Sequence, residues 1–260
     1  MTGSIDASGS VMSLLDPTGA SVTIDTVEGE SAFYGLFEGC AALHSLPRLP
    51  ATTLAEGCYN KMFSGCTGLT SIPENLLPAL TLKDKCYSNM FDGCSELKSI
   101  PNDLLPATTL TKGCYQNMFM DCIVLQSVPT LNAVVMVDNC YRGMFEGCSS
   151  LTAVPANYLP ATTLANGCYE FMFLGCTNLT NAPDLPAPTL AEWCYYQMFQ
   201  NCTSLNSIKC LATDISASSC TTDWVYGVAA TGTFITKSGM LDWLPDSNSG
   251  IPTGWTVQTE

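Results

Sequence analysis

A nine-residue motif, Cys-Tyr-x-x-Met-Phe-x-x-Cys, returns along the chain at a nearly fixed interval. "GCYNKMFSGCTGLTSIP" begins at Gly57, "KCYSNMFDGCSELKSIP" begins 28 residues later, and "GCYQNMFMDCIVLQSVP" begins after 28 more. Alignment on the Cys that follows Met-Phe gives seven units with steps of 26 or 28 residues. The aligned residues are Cys40, Cys66, Cys94, Cys122, Cys148, Cys176 and Cys202. A repeat of this length is typical of a solenoid, in which each unit packs on its neighbours.

The two repeat lengths have a visible cause at the proline-rich corner of the unit. Short units read "SLPRLPATTL", as from Ser45, whereas long units read "SIPENLLPAL", as from Ser71. The long form has two additional residues, which a surface loop can absorb. We therefore expect one fold with a corner of variable size.

Each unit has one apolar skeleton whose spacing changes along the unit, so that neither period 2 nor period 3.6 fits throughout. We expect "GLTSIP" to be a strand ended by its Pro, and "GCYNKMFSGC" to be one to two turns of α- or 3₁₀-helix. Stacked units then form an α/β solenoid, with a parallel β-sheet on one face and short helical or 3₁₀ turns on the other. In the unit from Gly57, the skeleton is Cys58, Met62, Phe63, Cys66, Leu69, Ile72, Leu77 and Leu82.

Both ends depart from the pattern, as capping units of a solenoid do. We predict an N-terminal cap at 1–30, a solenoid of about seven units at 31–210 and a C-terminal cap at 211–260. The first cap contains strand-like runs in "SGSVMSLLDPTGASVTID". In the second cap, Trp224, Trp243 and Trp255 suit a lid over the end of the solenoid, and a separate aromatic binding site is the alternative.

The charge balance limits the partners that the chain can have. Nine basic and 23 acidic residues give a net charge of -14, which repels phosphate backbones and anionic lipids. No apolar run approaches the 18 to 20 residues of a membrane span. The N-terminus "MTGSIDASGS" lacks the basic patch and apolar run of a signal peptide. We therefore expect no nucleic-acid partner and no membrane insertion.

The repeated "LPATTL", "GCY", "MF" and "GCTxLTSIP" elements resemble those of BspA-like leucine-rich repeat proteins of host-associated anaerobic bacteria. The resemblance covers about residues 30–210, and "CLATDISASSCTTDWVYGVAATGTF" with "GIPTGWTV" resembles the closing segment of the same group. It implies a right-handed solenoid, a secreted or surface-exposed protein, and adhesion to host proteins of the kind reported for some members.

The 15 cysteines are best explained as packing residues. Thirteen lie in two repeated columns, and Cys is a small, readily buried apolar residue. We predict reduced core columns; a few disulfides are the alternative, with Cys210–Cys220 the best candidate. Zinc binding is disfavoured because the chain has no C-x-x-C pair, and only adventitious binding of soft metals to the thiol columns is left open.

The sequence gives no catalytic constellation. A catalytic Cys needs a base, yet His44 is the only histidine and reads as an exposed strand residue. No nucleophile-elbow, zinc-protease, phosphate-loop or dinucleotide motif is present. We therefore predict no catalytic, cofactor or metal residues.

A tyrosine follows the first Cys of six units, and it has two interpretations. The rings could shield the core, or they could form a stacking surface for sugars or a peptide. We favour the structural role, because binding surfaces are usually built from positions that differ between units. Such positions are Asn60–Lys61, Arg142–Gly143, Glu170–Phe171, Tyr196–Gln197, Pro47–Arg48, Glu74–Asn75 and Asn102–Asp103.

These features predict a non-enzymatic binding or adhesion module of a surface or secreted bacterial protein. We expect a monomer that recognises a protein or glycan partner through its repeat surface; the ligand-binding residues are unknown at this point. The alternative is a passive structural or spacer domain of a larger surface assembly.

Overall fold

The computed structural model describes residues 5–15, 18, 31–239 and 243–260. The strands within them pair in parallel, β1 with β2 near the N-terminus, and β3, β4 and β5 in that order near the C-terminus. The elements are β1 (Ile5–Asp6), a 3₁₀ helix (Val11–Leu14), β2 (Leu43–Ser45), β3 (Ser207–Lys209), β4 (Thr233–Thr236) and β5 (Thr256–Thr259).

Between these two small sheets, the units are joined by isolated parallel bridges rather than by the predicted continuous sheet. Ser71 bridges Ser99 on the predicted strand side, and Thr53 bridges Thr81 at the corner. The strands between the two sheets are short because a proline such as Pro73 follows each of them and has no N–H to donate, whereas β3 has Lys209 at the equivalent position. The parallel arrangement is confirmed, but the extent of the sheet was overestimated; the right-handed winding stays a prediction.

The segment predicted to be helical is instead a chain of turns. In the unit from Gly57, the backbone is left-handed at every fourth residue, with φ of 58° at Gly57, 58° at Lys61 and 71° at Gly65. A right-handed helix excludes positive φ, so the prediction of α- or 3₁₀-helix was wrong here. We call these stretches the turn segments. They lie at 31–40, 57–66, 85–94, 113–122, 139–148, 167–176, 193–202 and 219–228.

Hydrogen bonding in the turn segments alternates between neighbours in the chain and neighbours in the stack. The Met62 N–H donates to the Tyr59 carbonyl of its own segment, at 3.2 Å. The Phe63 N–H donates instead to the Met90 carbonyl of the next unit, at 3.0 Å. The backbone is thus satisfied partly within a turn and partly across units, which ties each unit to the next.

Stacked aromatic rings form the centre of the solenoid. The phenylalanine column runs from Phe37 to Phe199 with ring centroids 5.5–5.8 Å apart in successive units. The tyrosine column from Tyr59 to Tyr195 has a spacing of 5.8–6.2 Å. The rings of Phe63 to Phe199 and of Tyr59 to Tyr195 are fully or almost fully buried. The predicted inward-facing Met, Phe and Cys positions are therefore confirmed.

The N-terminal residues pair with the first unit of the stack. β1 pairs in parallel with β2, Ser10 bridges Arg48, and Met12 is fully buried. The predicted strand-like run at 11–14 is a 3₁₀ helix, because the Ser10 side chain accepts from the Met12 N–H and caps a tight turn. Apart from Thr18, the rest of that stretch up to residue 30 lies outside the described residues.

The C-terminal end is closed by the predicted tryptophan lid. The indole of Trp224 stacks on Tyr195 at 6.1 Å and packs against Trp243 at 5.3 Å. The indole N–H groups of Trp224, Trp243 and Trp255 donate to backbone carbonyls at 2.9, 3.2 and 2.7 Å. All three side chains are buried, so they do not form a separate binding site. The turn segment at 219–228 lies beyond residue 210, and the domain boundaries stay predictions.

Among the described residues, no helix has the length and apolar character that crossing a bilayer requires.

Candidate functional site

The cysteine that follows Met-Phe forms an inter-unit thiol ladder. The thiol of Cys94 donates to the carbonyl of Phe63 in the preceding unit at 3.3 Å, and that of Cys122 donates to the carbonyl of Phe91 at 3.2 Å. Cys66, Cys148, Cys176 and Cys202 make the same contact at 3.0–3.2 Å. A thiol suits this position because it is small, apolar and still a weak donor.

Burial makes these thiols poor nucleophiles. It raises the pKa of Cys58 to about 12 and that of Cys66 to about 11. Neutral thiols neither attack carbonyls nor bind metals readily, because both reactions need the thiolate. The two cysteine columns therefore serve the core.

All fifteen cysteines are free, including the pair that was the best candidate for a disulfide. The Cys220 thiol donates to the Ile215 carbonyl at 3.2 Å, five residues earlier in the chain. Cys210 lies in the interior, paired through a parallel bridge with Leu185. The prediction of reduced core columns is confirmed, and the Cys210–Cys220 alternative was wrong.

The tyrosine column has the structural role rather than the binding role. Tyr59 to Tyr195 are at most 2% exposed, so no sugar or peptide can stack on their rings. The rings lie inside the stack, where each packs on the ring of the next unit. The hydroxyls of Tyr59 and Tyr87 are buried without a hydrogen-bond partner, so ring stacking rather than hydrogen bonding holds these two side chains.

The one histidine lies where the sequence indicated. His44 is the exposed middle residue of β2. Among the residues that the structure describes, no group of three His, Cys, Asp or Glu side chains could hold a metal ion.

Of the positions that differ between units, four converge on one surface of the turn segments. They are Arg142, Glu170, Phe171 and Tyr196. Lys61 instead pairs with Glu38 at 3.7 Å, while Arg48, Glu74, Asn75 and Asp103 are exposed elsewhere and Pro47 is buried.

Together with Asn139, Trp193 and Ser219, these four side chains line an open depression of about 660 Å³, which we call the aromatic basin. The Arg142 guanidinium lies 4.8 Å from the centroid of the Phe171 ring and donates to Glu170 Oε2 at 2.9 Å. The Tyr196 ring meets Phe171 edge-on at 5.4 Å. Ion pair and rings thus hold each other in place without a ligand.

Two aromatic residues of the basin have an unfavourable backbone. Phe171 has φ of 59° and Trp193 has φ of 55°, in columns where other units have residues such as Gly, Asn or Lys. A left-handed conformation costs an L-residue about 1–2 kcal/mol, and bulky side chains are rare there. Trp193 is also 46% exposed, so core packing does not explain its presence. Strain of this kind is concentrated at functional positions.

A second depression, of about 500 Å³, lies at the corner side and results from unit length. Asn102 of one long unit and Tyr158 of another flank Pro129 and Leu131 of the short unit between them. Because the short unit lacks the two additional corner residues, its neighbours leave a notch. Three prolines, Val128 and Leu131 line the notch and no charged side chain does, which makes it a less selective surface than the basin.

Asp92, Asp121 and Glu146 form an acidic row across three successive turn segments, the last of which also contributes Arg142 to the basin. Burial, and then the charge of Asp121, raise the pKa of Asp92 to about 6, while Lys61 opposes the shift. Burial and Asp121 also raise the pKa of Glu146. Asp121 repels both Asp92 and Glu146, and Arg142 and Glu170 of the basin also act on Glu146. The row therefore lies near the basin and gives that side of the stack a negative field.

Sequence reasoning missed Trp193, Asn139 and Ser219. The residue that precedes the first Cys of a unit is outward-facing in the turn segments, a fact that the helical prediction concealed. A signal was present: Trp193 replaces the Gly, Lys or Asn that other units have immediately before this Cys.

A model of the BspA type leucine rich repeat region matches the chain in three overlapping stretches, at residues 29–152, 59–182 and 112–221. Neither the curated proteins nor the solved structures contain a significant match. The family consists of bacterial surface binding proteins that are typically non-catalytic. The matched stretches coincide with the stacked turn segments and cover most of the sequence. By its repeat and by this match, the chain belongs to the BspA-type leucine-rich repeat family.

Proposed function

We propose that this chain is a non-enzymatic binding module of a bacterial surface or secreted protein, and that it recognises a protein or glycan partner through the exposed side of its turn segments. One observation carries the proposal: the buried columns repeat from unit to unit, whereas the pair of residues between Tyr and Met differs. In successive units this pair is Asn60–Lys61, Ser88–Asn89, Gln116–Asn117, Arg142–Gly143, Glu170–Phe171 and Tyr196–Gln197. All of these residues are partly exposed except Ser88 and Gly143, which are buried. A scaffold that holds its core constant while it varies one surface is suited to recognition.

The chemistry of the thiols supports a binding role over a catalytic one. Fourteen of the fifteen cysteines are buried, and Cys40 is the partly exposed member. Burial that protects thiols from ionisation also protects them from oxidants, which fits a reduced protein outside the cell. The family's association with the bacterial surface supports the same placement.

The net charge of -14 narrows the partner class. A negative surface repels nucleic acids and anionic membranes, so the favoured partners are neutral or basic. We propose that the module acts as a monomer, because its repeated exposed columns are mainly polar.

The experiment compares two sets of substitutions on the purified chain. The first set replaces four residues with polar residues of the kind that other units have at the same positions. These four are Arg142, Glu170, Phe171 and Tyr196. In the matched set, Glu74, Asn75, Asn102 and Asp103 on the corner side are changed to Ser. Binding is measured against panels of extracellular-matrix proteins and glycans at micromolar concentration.

We expect at least one partner for the unchanged chain and loss of that partner in the first set, with both sets folded by circular dichroism. Absence of any partner, together with tolerance of both sets in cell-attachment assays, would contradict the proposal and favour the passive spacer.

A further inference from the structure

We propose that the aromatic basin is a carbohydrate-binding site that takes a neutral oligosaccharide, with Trp193 as the stacking platform and the Arg142–Glu170 pair as the hydroxyl-binding group. This inference rests on the proposed binding function and names the ligand class and the residues. Four of the residues are polar or charged, three are aromatic, and all seven line one open depression.

The basin has a size that suits a small ligand. Its volume of about 660 Å³ lies within the roughly 300–1,000 Å³ of small-molecule sites. The neighbouring pairs in the same columns are polar on both sides, with Gln116–Asn117 before it and Thr222–Asp223 after it. In these columns the aromatic residues are confined to two turn segments, and the exposed Tyr226 lies in a different column. Three aromatic side chains suit one small ligand better than a protein interface, which needs roughly 800 Å² on each partner around an apolar centre.

Two buried glycines lie next to the basin residues in the sequence columns. Gly167 lies between Asn139 and Trp193 in the column that precedes the first Cys, and Gly143 lies next to Phe171 in its own column. A Cβ at Gly167 would meet Asn139 Oδ1 and Glu170 Oε2, so side chains of the basin pack over this glycine.

The polar groups of the basin are fixed before a ligand arrives. Arg142 is held by the carboxylate of Glu170 and by the Phe171 ring, so its remaining N–H groups have a set direction. Glu170 Oε1, the Asn139 amide and the Ser219 hydroxyl add acceptors and donors at the rim. A planar guanidinium beside a carboxylate can donate to one sugar hydroxyl and accept from the next.

A pyranose matches this arrangement better than other small ligands do. One face of the ring consists of C–H groups, which pack on an aromatic surface, and its rim consists of hydroxyls, which donate and accept. The half-exposed indole of Trp193 can pack against the C–H face, and the Arg142–Glu170 pair can hydrogen-bond the hydroxyls. A quaternary ammonium ligand would compete with the guanidinium that already covers Phe171.

Charge selects among sugars. The charges of Arg142 and Glu170 cancel, while Glu146 and Asp121 form part of the acidic row on the same side of the stack. Together with the net charge of -14, this field disfavours uronic and sialic acids. The ligand that remains is a neutral oligosaccharide.

Trp193 gives the experiment a built-in reporter. It is 46% exposed, whereas Trp224, Trp243 and Trp255 are at most 7% exposed, and the chain has four tryptophans. Intrinsic fluorescence of the full chain is titrated with neutral hexasaccharides of glucose, N-acetylglucosamine and mannose, and with hexagalacturonate, up to about 1 mM, the weakest affinity of interest.

Three variants accompany the unchanged chain. Trp193→Gly removes the platform and installs the residue that Gly113 and Gly167 provide in the same column, so the fold is compatible with it. Glu170→Gln keeps the shape of the basin and removes one charge. Tyr226→Ala is the matched control, because Tyr226 is an exposed aromatic residue, 49% exposed, outside the basin. Calorimetry with the same sugars measures binding in Trp193→Gly independently of the reporter.

We expect at least one neutral hexasaccharide to shift the tryptophan emission to shorter wavelength. Affinity should fall at least tenfold in Trp193→Gly and several-fold in Glu170→Gln, and it should be unchanged in Tyr226→Ala. No response to any neutral hexasaccharide would overturn the proposal, and so would equal binding of hexagalacturonate or undiminished calorimetric binding in Trp193→Gly.

The design separates this inference from the proposed function. A protein partner that binds the chain and is lost in Trp193→Gly, with no sugar response, overturns the carbohydrate assignment but leaves the binding function intact. A partner whose affinity is the same in all three variants overturns the basin as the site and again leaves the function intact.

Discussion

The turn segments at 113–122 and 193–202 have the same interior and very different exteriors. Both bury Cys, Tyr, Met, Phe and Cys at equivalent positions. On the outside, the first has Gly113 where the second has Trp193, at nearly the same φ of 59° and 55°. The comparison teaches that stacking determines the interior, while the exterior is free to hold even a residue that its backbone disfavours.

The largest effect should come from breaking the shared interior. Phe119 is fully buried and stacks between Phe91 at 5.7 Å and Phe145 at 5.8 Å. Phe119→Ala should lower the free energy of unfolding by about 3–5 kcal/mol, through lost burial and the cavity left behind. Urea unfolding followed by circular dichroism measures this change.

The control for that variant lies on the exterior. Tyr196→Ala removes a partly exposed ring of the basin, and it should cost about 1 kcal/mol or less. Equal losses in the two variants would contradict the division between a determined interior and a permissive exterior.

A smaller effect tests the left-handed positions. Gly175 has φ of 73°, and an added Cβ would meet only the Gly147 backbone, at 3.8 Å. Gly175→Ala should therefore isolate the conformational cost, about 1–2 kcal/mol of lost stability. Lys85 is exposed with φ of 52°, so Lys85→Gly should gain about 0.5–1 kcal/mol after the entropy of glycine is subtracted. Thermal and urea unfolding of both variants measures these changes. If both substitutions changed the stability in the same direction, the turn geometry would be refuted.

The smallest effect concerns pH and the acidic row. Because the pKa of Asp92 is raised to about 6 in the folded chain, above its unfolded value, the folded state binds more protons between about pH 4 and 6. The stability that Asp92 contributes is therefore lost as pH rises through 6.

Asp92→Asn should gain about 1 kcal/mol at pH 7, a figure reduced because the side chain is half-exposed, and little at pH 4.5. Urea unfolding at the two pH values measures the difference between variant and unchanged chain. A gain of the same size at both would show that ionisation of Asp92 is not the cause.

The sequence was sufficient to predict which residues form the buried columns, but it was insufficient to predict the backbone conformation of the turn segments. Cys58, Met62, Phe63 and Cys66 face inward as predicted, because only stacking could bury one apolar side in every unit. The same spacing of four, five and eight residues also fits a helix, and that coincidence produced the wrong element. The residues at every fourth position, such as Asn139, Gly143 and Gly147, were the sequence signal for left-handed turns.

The basin was half predictable for a related reason. Arg142, Glu170, Phe171 and Tyr196 stood out because they differ from their counterparts in other units. They lie side by side because equivalent residues of successive units are 26 or 28 positions apart and stack on one another. The repeat pattern in the sequence already indicates this register. Trp193 could be assigned to the basin only from the turn geometry, because the predicted helix does not indicate that the residue before the first Cys faces outward.

Counting thiols tests the central claim most directly, namely that neighbouring units are sealed by reduced, buried cysteines. A thiol-reactive chromogenic disulfide is added to the chain without reductant, in buffer and in denaturant. We predict one reactive thiol in the native state, that of Cys40, and fifteen after unfolding. Several reactive thiols in the native state, or fewer than fifteen in denaturant, would contradict the account.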